Sequence, residues 1–215
     1  MTHAPLLNAL VLALAGASLQ AQAQDAAAGQ KKAAMCIGCH GIPGYQASFP
    51  QVHKVPMISG QGAKYIVASL MAYKKGERKH PTMRGVSVSL SDQDMSDLAA
   101  FYEASGAAAA PPDTPAAPSP AVAALLTKGA CVACHGANFS KPIDASYPKL
   151  AGQHADYLNV ALGAYATVDQ HYVGRGNAIM AGQVKPFNRA ELKQLATYIA
   201  SLPGELRTVP QSKFR

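Results

Sequence analysis

All four cysteines of this 215-residue chain fall into two Cys-x-x-Cys-His strings, Cys36-Ile37-Gly38-Cys39-His40 and Cys131-Val132-Ala133-Cys134-His135. On a helical turn, thiols at i and i+3 lie on one face, where they can form thioethers with the two vinyl groups of one haem. The next residue brings an imidazole over the iron, so His40 and His135 are the expected proximal ligands. A zinc ribbon also uses paired thiols, but it does not call for a histidine directly after each pair. Simple disulfides suit an oxidising compartment and leave both histidines unexplained. The expectation is therefore two covalent haem c groups, each with its iron.

The sixth iron ligand is selected by an internal repeat. An offset of 95 residues sets Cys36 on Cys131, and the order of features continues from there. Pro56-Met57-Ile58-Ser59-Gly60-Gln61 answers Pro148-Lys149-Leu150-Ala151-Gly152-Gln153, and Tyr65, Leu70 and Tyr73 answer Tyr157, Leu162 and Tyr165. The second half holds a single methionine, Met180, and registering Leu98 on Leu195 brings Met83 onto it. Met71 and Met95 fall on apolar helix stripes and read as core. Bis-histidine ligation is the alternative, but His53, His80, His154 and His171 have no histidine at their repeat equivalents. Filling both axial positions with His and Met raises the iron potential and favours electron transfer over oxygen or peroxide chemistry. Around these ligands, a carbonyl at Pro56 or Pro148 is a candidate acceptor for the free N–H of the proximal histidine, or each proline merely ends a loop. Gly60 and Gly152 mark either close backbone approach to the porphyrin or an ordinary helix start.

The elements that must position these groups read as helices, with no sustained alternation of period two. Each half carries three helix signals. The last helix of the first half opens on Ser91 with Asp94 three residues on, and buries Met95, Leu98, Ala99 and Tyr102 at helical spacing. Its twin opens on Asn188 and Glu191 with the stripe Leu192, Leu195, Ala196 and Ile199, and Pro203 bars further helix. The fold class is all-α, with two small helical domains each wrapped around one haem. With many alanines and so few helices, neither domain has the core to fold without its cofactor.

Residues 9–19 form an apolar stretch closed by Ala21-Gln22-Ala23, a small-x-small pattern that predicts a secretory signal over 1–23, although Lys and Arg are missing from its start. The stretch is too short to span a bilayer. Domain 1 is then 24–105 and domain 2 is 121–215. Between them, 106–120 is an Ala/Pro-rich linker, read as a semi-rigid polyproline tether holding the domains apart or at a restricted angle, or as a flexible spacer. Basic residues outnumber acidic ones 19 to 12, and both halves share the excess, which two pairs of haem carboxylates would reduce. Lys74, Lys75, Arg78 and Lys79 cluster before Met83, either as a docking site for acidic redox partners or as a solvated helix end. Nucleic acid is excluded as a partner by the absence of a long basic stripe or recognition module.

The two Cys-x-x-Cys-His-Gly strings, the Pro-x-Leu/Ile-x-Gly-Gln strings, the single methionine of the second half and the run Leu90-Ser91-Asp92-Gln93-Asp94-Met95 with Leu98-Ala99-Ala100 resemble the dihaem cytochrome c4 family, built from two class I cytochrome c domains. The resemblance covers the whole mature chain, and the linker is longer than the family's. It implies that the carbonyls of Pro56 and Pro148 bond the proximal histidines, and that the protein shuttles single electrons in the periplasm towards terminal oxidases, often with peripheral membrane association. The expected function is an electron carrier between protein partners, without a small-molecule substrate. The alternatives are the electron-accepting subunit of a dehydrogenase or a dihaem peroxidase-like enzyme.

Overall fold

The computed structural model describes residues 24–106, 110–167 and 169–210. The leader expected at 1–23 lies outside the described residues. Among the described residues, short segments form five helices in each half. The first half contains α1 (Ala26–Lys32), α2 (Ala34–His40), α3 (Ala63–Lys75), α4 (Pro81–Val88) and α5 (Asp92–Ala104). The second contains α6 (Pro120–Lys128), α7 (Cys131–His135), α8 (Ala155–Tyr165), α9 (Ala178–Val184) and α10 (Arg189–Ser201). Two helices per half beyond the three expected are a correction to the sequence reading. They are five to eight residues long with little apolar periodicity, so the hydrophobic pattern does not announce them.

The terminal helices of each half cross. In α5, Met95, Leu98, Ala99 and Tyr102 are buried, and in α10 so are Leu192, Leu195, Ala196 and Ile199. Both helices start with a reciprocal cap, Ser91 with Asp94 and Asn188 with Glu191, which satisfies two otherwise orphaned amides at each end. The crossing of α1 over α5 is close enough to require a glycine. A Cβ on Gly29 would sit 2.0 Å from the Asp97 carbonyl oxygen and 2.9 Å from the Phe101 Cβ. Beside the crossing, Lys32 bonds Asp94 at 2.7 Å and Asp97 at 2.8 Å, and the Asp97 side chain is only 4% exposed. Asp97 also accepts the Asp25 amide at 3.1 Å and the Gln93 side chain at 2.6 Å.

The two halves do not stand apart. Two-residue strands β3 (Arg78–Lys79) and β4 (Gly174–Arg175) pair antiparallel across them, with Arg78 opposite Arg175. A second small pair, β1 (Gln46–Ala47) with β2 (His53–Lys54), stays within the first half. Lys54 donates its amide to Asp156 at 3.0 Å, Gly176 donates to the Glu77 carbonyl at 2.7 Å, and the Arg207 amide returns to Ser59 at 3.0 Å. The linker is neither a spacer nor a loose tether. It is strapped to the second half by Asn138 to the Pro112 carbonyl, Lys141 to Asp113 and the Tyr198 hydroxyl to the Ala116 carbonyl. Its path depends on polar partners distant in sequence.

Gly60 (φ +87) and Gly152 (φ +75) are in the left-handed region, and each meets the chain leaving a last helix. A Cβ on Gly106 would lie 2.4 Å from the Gly60 Cα, and one on Gly204 would lie 2.0 Å from the Ala151 carbonyl oxygen. The close approach is thus backbone to backbone.

Two outcomes follow for the first domain. Gly29→Ala should force α1 off α5 and cost roughly 1–3 kcal/mol by chemical denaturation of the holoprotein; an unchanged midpoint would show that the crossing relaxes without cost. Lys32, ahead of the Asp25 and Gln93 contacts, holds Asp97 below the usual carboxylate range, and Lys32 with Ser91 does the same for Asp94. A depressed folded-state value stabilises above the unfolded value near 4 and is lost as pH falls through the folded value. Thermal stability of the first domain should therefore drop on acidification below about pH 4, and Asp97→Asn should flatten that drop while lowering stability at neutral pH. A variant with the wild-type acid profile would contradict this.

Candidate functional site

One cavity runs between the two halves, and Cys36, Cys39, His40, Met83, Cys131, Cys134, His135 and Met180 all line it. The motif cysteines and histidines lie on α2 and α7, where helical spacing turns the two thiols and the ring of each motif to the same wall. Among the described residues no three His, Cys, Asp or Glu side chains converge as a closed zinc site requires. The four cysteines are unpaired thiols. Burial pushes the Cys36 and Cys131 thiols up, so they are protonated in the bare chain.

The His40 Nδ1–H donates to the Pro56 carbonyl at 2.8 Å, and the His135 Nδ1–H to the Pro148 carbonyl at 3.3 Å. A carbonyl can only accept, so each proton must sit on Nδ1, which leaves the Nε2 lone pair for a metal. Burial lowers both imidazoles, ahead of the opposing pull of the proline carbonyls, and keeps them in the neutral, ligating form.

Both methionines occupy the same place in a short helix. Met83 is in the first turn of α4, where its amide donates to the N-cap His80 Nδ1 at 3.4 Å. Met180 is in the first turn of α9, with its amide on the N-cap Asn177 Oδ1 at 2.9 Å. A polar N-cap three residues ahead fixes each backbone in the same way, although His and Asn share no obvious pattern. Met95 is fully buried in α5 and Met71 packs against the first core cluster, as the core reading held.

The strongest feature of the cavity was not read from the sequence. Arg78 donates to the Tyr65 hydroxyl at 3.3 Å, the Ser69 hydroxyl at 2.9 Å and the Tyr157 hydroxyl at 2.7 Å. Arg175 donates to the same Tyr157 hydroxyl at 3.1 Å and reaches Tyr165 at 3.5 Å. The two guanidiniums also lie against the rings of Tyr73, Tyr157 and Tyr165. Among the described residues neither has a carboxylate partner, and the Arg78 Nε is buried without an acceptor. Burial pushes the Tyr157 hydroxyl up, but the two arginines outweigh it and draw it down to about 8. Two like charges in a low-dielectric wall call for anions. A haem brings two carboxylates, so thiols, neutral imidazoles, thioethers and orphaned guanidiniums together fit a pair of haem c groups. The tyrosines are visible in the repeat, but Arg78 follows Tyr73 by five residues and Arg175 follows Tyr165 by ten, which hid their equivalence.

The same geometry corrects the docking cluster expected at Lys74, Lys75, Arg78 and Lys79. Arg78 points into the cavity, Lys74 bonds the Leu90 carbonyl at 2.7 Å, and Lys79 bonds the Gln170 carbonyl across the interface at 2.6 Å. Lys75 alone of the four is exposed with no hydrogen-bond or ion-pair partner among the described residues. Adjacent cations in sequence diverge when a two-residue strand turns alternate side chains to opposite faces.

The sequence model of the cytochrome c family matches residues 26–104 and again 121–203. Cytochrome c4 of Azotobacter vinelandii is 32% identical over 210 residues, covering 91% of this chain and 98% of that protein. The thiosulfate dehydrogenase electron acceptor of Stutzerimonas stutzeri strain A1501 is 32% identical over 218 residues, covering 93% of this chain and 95% of that protein. The crystal structure of reduced recombinant cytochrome c4 from Pseudomonas stutzeri superposes with a TM-score of 0.60 at 29% identity, over 84% of this chain and 100% of that one. With the cytochrome c model matched twice and a full-length relative above 30% identity, this chain belongs to the cytochrome c4 family of dihaem electron-transfer proteins.

Proposed function

We propose that the chain is an exported one-electron shuttle of the periplasm, carrying electrons between respiratory protein partners and towards a terminal oxidase. Its domains are 24–105 and 121–215, joined by the strapped linker 106–120 and preceded by a cleaved leader at 1–23. Cys36 with Cys39 and Cys131 with Cys134 hold one haem each through thioethers. His40 with Met83 and His135 with Met180 would hold the two irons, the Pro56 and Pro148 carbonyls orienting the two imidazoles. Bound haem supplies an iron that cycles between ferric and ferrous. The observation that carries this reading is the single cavity lined by both ligand sets and floored by two arginines without carboxylate partners.

The residues of this chain limit what happens at that iron. Each His and Met pair would occupy the two ligand positions of its iron that the porphyrin leaves open, so neither substrate nor oxygen would need to bind. Arg78 and Arg175, which share the Tyr157 hydroxyl, would offset the charge of haem carboxylates in this cavity. The pairing of β3 with β4 ties the two halves together beside the cavity, so the surroundings of the two haems would move little as an electron passes. Among the described residues no helix is long and apolar enough to cross a membrane. Partners are redox proteins with acidic faces, met by the net positive surface.

A second reading is favoured by a specific likeness. The relative named as a thiosulfate dehydrogenase electron acceptor is as similar, at 32% identity, as the cytochrome c4 of Azotobacter vinelandii, and in this reading the donor is a dehydrogenase in place of a respiratory complex. Co-purification of a dehydrogenase with this chain would select that reading.

Axial ligation is the decisive test. The ferric wild-type protein should show no prompt spectral change with cyanide, because both haems are six-coordinate. Met83→Ala and Met180→Ala should each keep two haems while opening one, with cyanide taken up by half of the haem at least about tenfold faster than in wild type. Rapid uptake by the wild type, or variants as inert as it, would contradict the ligand assignment.

A further inference from the structure

Gln61 and Gln153 hold equivalent positions in the repeat, and each crosses the interface. Gln153 grips Met57 of the first domain: its Oε1 accepts the Met57 N–H at 3.0 Å and its Nε2 donates to the Met57 carbonyl at 2.8 Å. Gln61 grips Lys149 of the second domain in the same way, accepting its N–H at 2.9 Å and donating to its carbonyl at 2.9 Å. Both side chains are buried, at 4% exposure. The Oε1 of each also accepts the next amide of its own chain, Gly62 for Gln61 and His154 for Gln153, both at 3.0 Å. Two backbone N–H donors on one atom identify it as the oxygen and fix the orientation of the amide.

The gripped amides belong to particular peptide units. The Met57 N–H and the Pro56 carbonyl are the two ends of one peptide, and that carbonyl accepts the His40 Nδ1–H. Likewise the Lys149 N–H shares a peptide with the Pro148 carbonyl, which accepts the His135 Nδ1–H. A peptide that donates at nitrogen and accepts at oxygen is polarised by both bonds, and each strengthens the other. A continuous relay therefore runs from His40 through the Pro56–Met57 peptide to Gln153. Its twin runs from His135 through the Pro148–Lys149 peptide to Gln61.

We infer that each interface glutamine is a positioning residue for the proximal histidine of the opposite domain, and that it sets the potential of that domain's iron across the interface. The inference rests on His40 and His135 being the proximal ligands. Withdrawing the Oε1 acceptor leaves the proline carbonyl a poorer acceptor, so less anionic character develops on the imidazole. Ferric iron loses stabilisation relative to ferrous, and the potential rises. Because the relays are crossed, Gln153 acts on the first haem and Gln61 on the second. A mere loss of packing would not move the histidine Nδ1 protons in opposite directions for a weaker and a stronger acceptor.

The test uses the two-haem protein with Gln153→Met and Gln61→Met, titrated with a redox mediator while NMR follows the haem methyl signals of each domain. Gln153→Met should raise the first domain's potential, changing its reduced-to-oxidised ratio at fixed applied potential by roughly two- to fivefold, and should move the second domain less. Gln61→Met should do the reverse. In the ferrous state the His40 Nδ1 proton should move upfield in Gln153→Met while the His135 proton stays. Gln153→Glu, which keeps the volume and strengthens the acceptor, should move the His40 proton downfield. Both haems shifting together, each variant shifting its own domain, or no shift in either would overturn the relay. A haem count below two, or rapid cyanide uptake by the unsubstituted protein, would instead remove the ligand assignment on which the relay rests.

Discussion

Neither half of this chain closes a core of its own around the motif cysteines. Ile66, Leu90, Leu98 and Tyr102 on one side and Phe139, Leu158, Val184, Leu192, Leu195 and Ile199 on the other are core residues that also line the shared cavity. Apolar side chains that pack on one face and leave the other to a cavity realise only part of the stabilisation their area offers, about 25 cal/mol per Å². A rigid, flat, apolar occupant is what such walls require, and thioether bonds keep that occupant from leaving. The covalent motif and the thin core are two sides of one constraint.

The polar part of the cavity follows the same logic. Pairing β3 with β4 brings Arg78 and Arg175 together, an arrangement that costs free energy unless anions arrive. The four surrounding tyrosines supply hydroxyls and ring faces, which orient the guanidiniums without neutralising them. The interface is thus assembled in a form that the carboxylates of two haems complete. Holding the two domains in one packed body, in turn, gives an electron carrier two centres whose environments are defined jointly.

Much of the site was legible because its chemistry is local. Cys36, Cys39 and His40 stand within one helical turn, and the repeat converted a five-way choice of methionine into Met83 by matching the lone Met180. The stripes of α5 and α10 and their reciprocal caps were equally readable, since both are patterns of period 3.6 with fixed offsets. What the sequence concealed is whatever depends on two distant segments meeting. Arg78 looked like one of four surface cations because nothing near it in sequence says that Tyr157 lies against it. Gln61 and Gln153 appeared as the last letters of a loop motif, while their function lies in the opposite domain. The proline-rich linker did not show its path, since Asn138, Lys141 and Tyr198 decide that.

The central claim is that each domain holds one iron porphyrin through two thioether bonds. Intact mass spectrometry of the matured protein, combined with a pyridine haemochrome assay on the same sample, tests it most directly. The account predicts a mass equal to the chain from Gln24 plus two haems that denaturation does not release, and two haems per chain by absorbance. A mass equal to the polypeptide alone, a single haem, or zinc in place of iron would contradict it.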